Sequence, residues 1–174
     1  KGRYHYDERS MLRLETTGDI FKNSKVALND FTLHKRDTSS MIIIHTYIDG
    51  ELLNSFWADG LIIATPTGST GYSLSCGGPI VFPNSGSLVI TPVAPHNLSV
   101  RPIVVPDTSV ISFEIEGRAD SFLCTLDSRF EAVTAEDKLT VRKAEVVTRF
   151  IQLHDYSFLR TLHDKLTWGK DSRN

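Results

Sequence analysis

Most of this chain is written in short runs of β-branched, aliphatic and aromatic residues, cut at close intervals by proline, glycine and aspartate. Such runs are the mark of strands, and their punctuation marks turns. Met11–Glu15, Lys25–Lys35, Met41–Asp49, Leu52–Ala58, Leu61–Ala64 and Leu88–Thr91 read as strands, followed by Arg101–Val105, Val110–Glu116, Phe122–Asp127, Lys138–Lys143 and Val146–Leu153. In Val110–Glu116 the apolar Ile111, Phe113 and Ile115 alternate with Ser112, Glu114 and Glu116, which predicts an antiparallel strand with one wet face. Asp49-Gly50 joins two of the runs and predicts a hairpin. Leu61–Ala64 carries no polar residue and reads as a buried strand.

Helical signals are few. A short helix is expected to open near Thr70. A second is expected over Tyr156–Leu166, where Leu159, Leu162 and Leu166 share one stripe fit for core or subunit packing. Asp155 is the expected N-cap of that helix, and Gly169 ends its pattern. Many short strands with two minor helices predict a mainly β protein, an irregular double-sheet β-sandwich. A length of 174 residues suits one domain, with two small ones as the variant reading.

Charge excludes some functions. Nineteen basic and 21 acidic residues give a formal net charge of −2, without a run of one sign, so attraction to nucleic acid or to an anionic membrane is not expected. No apolar run reaches the ~20 residues that span a bilayer, and no signal peptide opens the sequence. Cys76 and Cys124 read as two free thiols of a reducing, cytoplasmic compartment, though a single disulfide is conceivable. Neither CxxC nor HExxH occurs, so no metal site is readable.

The octet Thr65-Pro66-Thr67-Gly68-Ser69-Thr70-Gly71-Tyr72 carries the most chemistry. Pro66 fixes one φ angle, and Gly68 and Gly71 permit close backbone approach. Thr67, Ser69 and Thr70 bring hydroxyls, and Tyr72 brings a ring that can stack on a base. The octet is neither a Walker P-loop nor a Rossmann fingerprint. Two readings stay open on the residues alone: a cradle for adenine or nicotinamide, or a glycine-rich turn whose hydroxyls cap a helix. Asn29 and Asp30 together suit a vicinal ribose diol, or else a bulge in which both bond their own backbone. Both can reach one diol only if the backbone bends there, because neighbouring strand residues point to opposite faces. Asp59 suits an exocyclic amide or a plain Asp-Gly turn. Ser75, three residues after Tyr72, suits the same helical face or a cap. His96 reads as a structural histidine or a contact, and Arg101 as a partner of an acid or of a phosphate.

Taken with their neighbours, these residues make the chain resemble the NAD kinase family. That family carries D-G-x(4)-T-P-T-G-S/T-T-A-Y followed by G-G-P. Here it stands as Asp59-Gly60, Thr65 to Tyr72 and Gly77-Gly78-Pro79, with Gly71 in place of the usual alanine. Asn29-Asp30 resembles the family's Asn-Glu/Asp pair, and Thr91-Pro92, Pro95-His96, Arg101-Pro102 and Val104-Val105-Pro106 resemble its T-P…P-H…R-P-L-V-V-P block. Leu126-Asp127 falls where the family often reads V-D-G-Q, with Ser128-Arg129 replacing the last two.

The resemblance implies the C-terminal dinucleotide-binding and oligomerising domain over residues 1–174, without the N-terminal domain. It implies transfer of the terminal phosphoryl of ATP, or of polyphosphate in some members, to the adenosine ribose 2′-hydroxyl of NAD, giving NADP. The base is the aspartate of a Gly-Gly-Asp-Gly-Thr motif, and no Gly-Gly-Asp occurs in these 174 residues. No catalytic residue is therefore expected here, and the chain is expected to be inactive alone, with Mg2+ or another divalent metal accompanying ATP in the full enzyme. The implied NAD-binding set is Asn29, Asp30, Asp59, Thr67, Ser69, Thr70, Gly71, Tyr72 and Ser75, with Ala94, His96, Arg101 and Asp127 as secondary candidates. Asp59 often serves across a subunit contact in this family, whose members form homodimers or homotetramers. The competing readings are a non-catalytic β-sandwich scaffold and a lipid kinase of related architecture; the intact Thr-Pro-Thr-Gly-Ser-Thr stretch speaks against the latter.

Overall fold

The computed structural model describes residues 3–36, 40–153 and 157–167. Among them are twelve strands in two six-stranded sheets. Sheet 1 contains β1 (Tyr4–Thr16), β2 (Val26–Ala27), β4 (Ile42–Ile48), β5 (Glu51–Ala58), β9 (Ile111–Glu116) and β12 (Leu139–Leu153), in the order β2-β1-β12-β9-β4-β5. Sheet 2 contains β3 (Asp30–Lys35), β6 (Gly60–Ala64), β7 (Ser87–Val93), β8 (Ile103–Pro106), β10 (Phe122–Leu126) and β11 (Arg129–Val133), in the order β11-β10-β3-β6-β7-β8. The mainly β, double-sheet fold is the one the punctuated pattern predicts.

The chain divides into two compact units, Arg9–Thr148 and a smaller one made of Lys1–Glu8 with Arg149–Asn174. In the larger unit, Leu12, Ile44, Phe113 and Val141 of sheet 1 share one core with Phe31, Leu33, Ile63 and Ile90 of sheet 2. The Phe31 and Phe113 rings stack there, 5.3 Å between centroids. Alternation fixes the other faces. β9 shows Ser112, Glu114 and Glu116 outward, as expected. β4 and β5 meet through Asp49 and Gly50, both at positive φ (52° and 87°), as the hairpin reading requires.

Sheet 2 is different, because both of its faces are covered at the centre. Every residue of β6 and β7 is buried. Ile62, Ala64, Val89 and Val93 point away from the shared core and form a second cluster with Val81. Over this outer face lie a 3-10 turn (Gly68–Thr70), the short helix α1 (Tyr72–Ser75) and the loop that carries Val81. The Ser73 hydroxyl of α1 lies 2.8 Å from that of Thr91 on β7. Approach is this close because residue 78 is glycine: a Cβ there would stand 2.2 Å from Ser73 Oγ.

Three details differ from the sequence reading. The segments expected as Lys138–Lys143 and Val146–Leu153 are one continuous strand, β12. β11 was not expected; four of its five residues are exposed, so it shows no apolar alternation. β1 extends well upstream of Met11. The two thiols are free; Cys124 lines the shared core, where burial pushes it up to about 12, and Cys76 lies at the outer cluster.

In the smaller unit, Glu8 accepts from Arg149 at 2.8 Å and Asp7 from Gln152 at 2.6 Å. Helix α2 (Phe158–Leu166) begins there, with Ser157 as its N-cap accepting from the Arg160 amide. The Asp155 cap and the Gly169 stop lie outside the described residues; Thr167 takes the left-handed conformation at the helix end. Of the leucine stripe, Leu162 is buried and Leu159 exposed.

Candidate functional site

The outer face of sheet 2 gathers most of the chemistry that the sequence singles out. Between β2 and β3 the backbone bends at Leu28–Asn29. Asp30 then starts β3 and, with Thr32 and His34, faces outward, while Phe31 and Leu33 face the core. The backbone therefore bends at the pair, where a regular strand would send the two side chains to opposite faces.

That bend has no strand partner for its own polar groups, so distant side chains supply them. Asp127 Oδ2 accepts from the Leu28 amide at 2.9 Å, and Oδ1 accepts from the amides of Asn29 and Asp30 at 2.7 and 3.4 Å. Asp127 sits at positive φ (53°) in the turn joining β10 to β11, and its own amide donates to the Asp30 carbonyl at 3.0 Å. On the other side, Thr65 Oγ1 donates to the Leu28 carbonyl at 2.6 Å, and the Thr65 amide donates to the Asn29 carbonyl at 2.9 Å. Asp127 is thus a holder of the bend.

The Thr65–Tyr72 octet folds directly onto this bend. Gly68 decides the fit: a Cβ at that position would lie 2.0 Å from the Asn29 carbonyl oxygen and 2.7 Å from its Cα. No other residue type fits without moving the chain. Ser69 is wholly buried; its hydroxyl donates to the Pro66 carbonyl at 2.7 Å and accepts from the Val81 amide at 3.0 Å, so it ties the turn to the covering loop. Thr67 is half-buried and accepts from Arg9 at 3.3 Å. Thr70, Gly71 and Ser75 are exposed, and Thr70 Oγ1 lies 3.4 Å from the Thr67 carbonyl.

Tyr72 projects from α1 over the outer face of β3, 41% exposed. Its hydroxyl lies 2.9 Å from His34 Nε2. Burial, then Cys76, then Asp59 and Asp30 push its phenol up, which places both carboxylates in its surroundings. Asp59 is half-buried in an ion pair with Lys35 at 2.6 Å. Asp30 is only 9% exposed, and burial and then the Asp127 charge raise its carboxyl to about 6, against a hydrogen bond from Thr32. A carboxylate so poorly hydrated gains from accepting hydroxyl donors of a ligand.

The secondary candidates scatter more. Ala94, at positive φ (46°), and His96, whose amide donates to the Trp57 carbonyl at 2.8 Å, lie in the exposed loop after β7. Arg101 is turned onto its own loop, donating to the carbonyls of Leu98 and Val100 at 2.5 and 2.8 Å. Arg129, which stands where the resemblance expects glutamine, donates to the carbonyls of Ser24 and Val26. Sequence reasoning did not find His34; its partner lies 38 residues away, and only pairing of β3 with β6 brings the two together.

A 126-residue span, 28–153, matches the profile of the ATP-NAD kinase C-terminal domain. The chain belongs to the ATP-NAD kinase C-terminal domain family. It is 54% identical over 173 residues to the NAD kinase of Cytophaga hutchinsonii, covering 99% of this chain and 59% of that protein. It is 50% identical to the NAD kinase of Flavobacterium johnsoniae, covering 98% and 59%. The chain therefore spans about three-fifths of the length of these NAD kinases. A yeast NADH kinase complexed with NADH superposes with a TM-score of 0.85 at 26% identity, over 95% of this chain and 51% of that one. An Archaeoglobus fulgidus NAD kinase in complex with ATP gives 0.76 at 26% identity, over 92% and 61%. The matched span starts at the Leu28–Asn29 bend, so the family profile contains the bend, the octet and Asp127 together.

Proposed function

We propose that this chain is the dinucleotide-binding part of an NAD kinase, and that its outer sheet-2 face takes the adenosine end of NAD. The observation that carries the reading is the close approach of Gly68 to the Asn29 backbone, beside the nearness of the Asp30 carboxylate to Tyr72. Asn29 donates and accepts, and ionised Asp30 accepts, which matches a vicinal diol. Thr67, Thr70, Gly71 and Ser75 border the same surface, and Asp59 offers an acceptor for an amide. Ala94, His96 and Arg101 form its outlying candidates.

In the whole protein the ribose 2′-oxygen attacks the terminal phosphorus of ATP. One O–P bond forms, the bond to the bridging oxygen breaks, ADP leaves, and the hydroxyl proton passes to a base. By family likeness that base is an aspartate upstream of residue 1, and polyphosphate is a second donor class. Mg2+ enters with ATP; among the described residues no group of three or more His, Cys, Asp or Glu is placed to hold a metal. The same reading makes the working protein a cytoplasmic homodimer or homotetramer that supplies NADP. It expects the chain alone to bind the dinucleotide weakly and to turn nothing over. Among the described residues no helix is long and apolar enough to cross a membrane.

Calorimetric titration of the chain with NAD, NADP and ATP tests this. Heat with either dinucleotide, and NADP production once the upstream sequence is present, is the expected result. No heat up to millimolar dinucleotide favours a non-catalytic β-sandwich scaffold, and a folded full-length protein without NADP production contradicts the kinase reading.

A further inference from the structure

His34 belongs to none of the stretches that mark the family, yet it touches two of them, Asp59-Gly60 and the octet. Its Nε2 lies 2.9 Å from the Tyr72 hydroxyl, and the two rings are near parallel, 18° apart with centroids 5.8 Å from each other. Beneath it, β3 pairs with β6 so that His34 stands opposite Gly60. A Cβ on Gly60 would lie 3.0 Å from both Cγ and Nδ1 of His34, and 2.5 Å from the Leu33 carbonyl oxygen. The glycine of the Asp59-Gly60 pair is thus the seat on which the imidazole rests.

Tyr72 needs such an anchor. It starts a helix of four residues with no side-chain cap, and its ring is 41% exposed. A ring in that position has few packing partners to hold its χ angles. Its hydroxyl is engaged by His34 and by the Cys76 side chain, so the ring face is what remains for a ligand. His34 also makes a hydrogen bond to the Asp59 backbone. We assign its proton to the nitrogen facing that carbonyl, which leaves Nε2 bare to accept the tyrosine proton. Burial favours the same neutral imidazole.

We propose that His34 is a positioning residue that locks the plane of Tyr72 on the Gly60 seat, so that the site recognises the flat heterocycle of a nucleotide by stacking on a pre-set ring. The proposal rests on the dinucleotide reading above and adds to it the means by which the ring is held. Pre-setting matters because a ring that must be ordered on binding loses part of its stacking energy to entropy.

The test uses the full-length protein with NAD and ATP. His34→Leu fills the seat without an acceptor, and His34→Gln restores one. For His34→Leu we expect the KM for NAD to rise about three- to tenfold, the range of a lost aromatic contact, with kcat and the KM for ATP within about twofold of wild type. His34→Gln is expected to recover most of that loss. Tyr72→Phe keeps the ring and removes its hydroxyl contacts to both His34 and Cys76, so it is read beside Cys76→Ala. If His34→Leu does not fold, a rise in the KM for NAD in Tyr72→Phe that Cys76→Ala does not reproduce supports the proposal, and an equal rise in Cys76→Ala overturns it. An unchanged KM for NAD in the folded His34→Leu and Tyr72→Phe variants, or a His34→Gln no better than His34→Leu, overturns the proposal. A wild-type protein that makes no NADP overturns the dinucleotide reading instead. The positioning claim is then decided by three-bond couplings that report Tyr72 χ1. One rotamer in wild type and averaging in His34→Leu supports it, and one rotamer in both overturns it.

Discussion

The outer faces of the two sheets hold nearly the same side chains and put them to different use. On sheet 1, His45 Nδ1 lies 2.7 Å from Ser55 Oγ and its Nε2 lies 3.1 Å from Glu116, while the Tyr47 hydroxyl donates to Glu114 at 2.9 Å. A hollow of about 490 Å³ adjoins them. On sheet 2, His34, Tyr72, Asp30 and Asp59 stand together with no larger chemical vocabulary. The first face is a bare sheet: its pairs follow from strand register, and the Glu116 side chain is 65% exposed. Water screens such pairs, so they add little to stability. Its hollow is lined by Glu114, Glu116, Glu136 and Asp137 with Lys138, a balance that repels phosphates. The second face is covered by the Gly68–Tyr72 turn and helix, and there Asp30 is dry enough to titrate near 6. What separates the candidate site from the bare face is the cover that removes water, rather than the list of residues.

The comparison breaks most easily at Gly68. Gly68→Ala puts a methyl onto the Asn29 backbone and is expected to cost about 3 kcal/mol or more, with loss of dinucleotide binding. Gly50→Ala on the sheet-1 hairpin meets open space and strains only φ, so about 1 kcal/mol is expected. Urea unfolding of the two variants measures the gap. Equal costs would mean that the close approach is not what holds the site.

Carboxylates give the next contrast. Asp127→Ala leaves the amides of Leu28 and Asn29 without their acceptor and is expected to cost about 2 kcal/mol, with NAD affinity lowered at least about tenfold. Glu114→Ala removes one exposed hydrogen bond and is expected to change stability by less than about 0.5 kcal/mol. Chemical denaturation and titration calorimetry read both.

The smallest and sharpest effect is a pH dependence. Asp30 is raised from 3.8 to about 6, so its share of fold stability is present below about pH 4 and lost as pH rises through 6. Asp30→Asn is therefore expected to be more stable than wild type at pH 8, by roughly 1–2 kcal/mol in chemical denaturation, and to lose that advantage by pH 4. Binding runs the other way. The ionised carboxylate is the acceptor, so NAD affinity falls as pH drops through about 6 in wild type and stays flat in Asp30→Asn.

How much of this was legible follows from range. Pro66, Gly68 and Gly71 mark a strand end, a turn and a short helix within eight residues, and Asp49-Gly50 marks its hairpin, because turn chemistry is local. The alternation of Ile111, Phe113 and Ile115 gave away which face is wet. β11 escaped because an exposed edge strand has no apolar period to read. β12 read as two strands because its middle is charged at Arg142, Lys143 and Glu145, although Ala144 is buried. The Asn29–Asp30 bend could be posed as a condition but not seen, since it is made by Thr65 and Asp127, 36 and 98 residues from Asn29. His34 was invisible for the same reason: its role exists only through register with Gly60 and the reach of Tyr72.

The most direct test is a map of backbone amide shifts during titration with NAD. The account predicts that the perturbed amides cluster at Asn29–Asp30, at Thr67–Tyr72 and around His34, and that His45, Glu114 and Lys138 stay still. Shifts gathered on the sheet-1 hollow, with the Asn29 and Tyr72 regions silent, would contradict it.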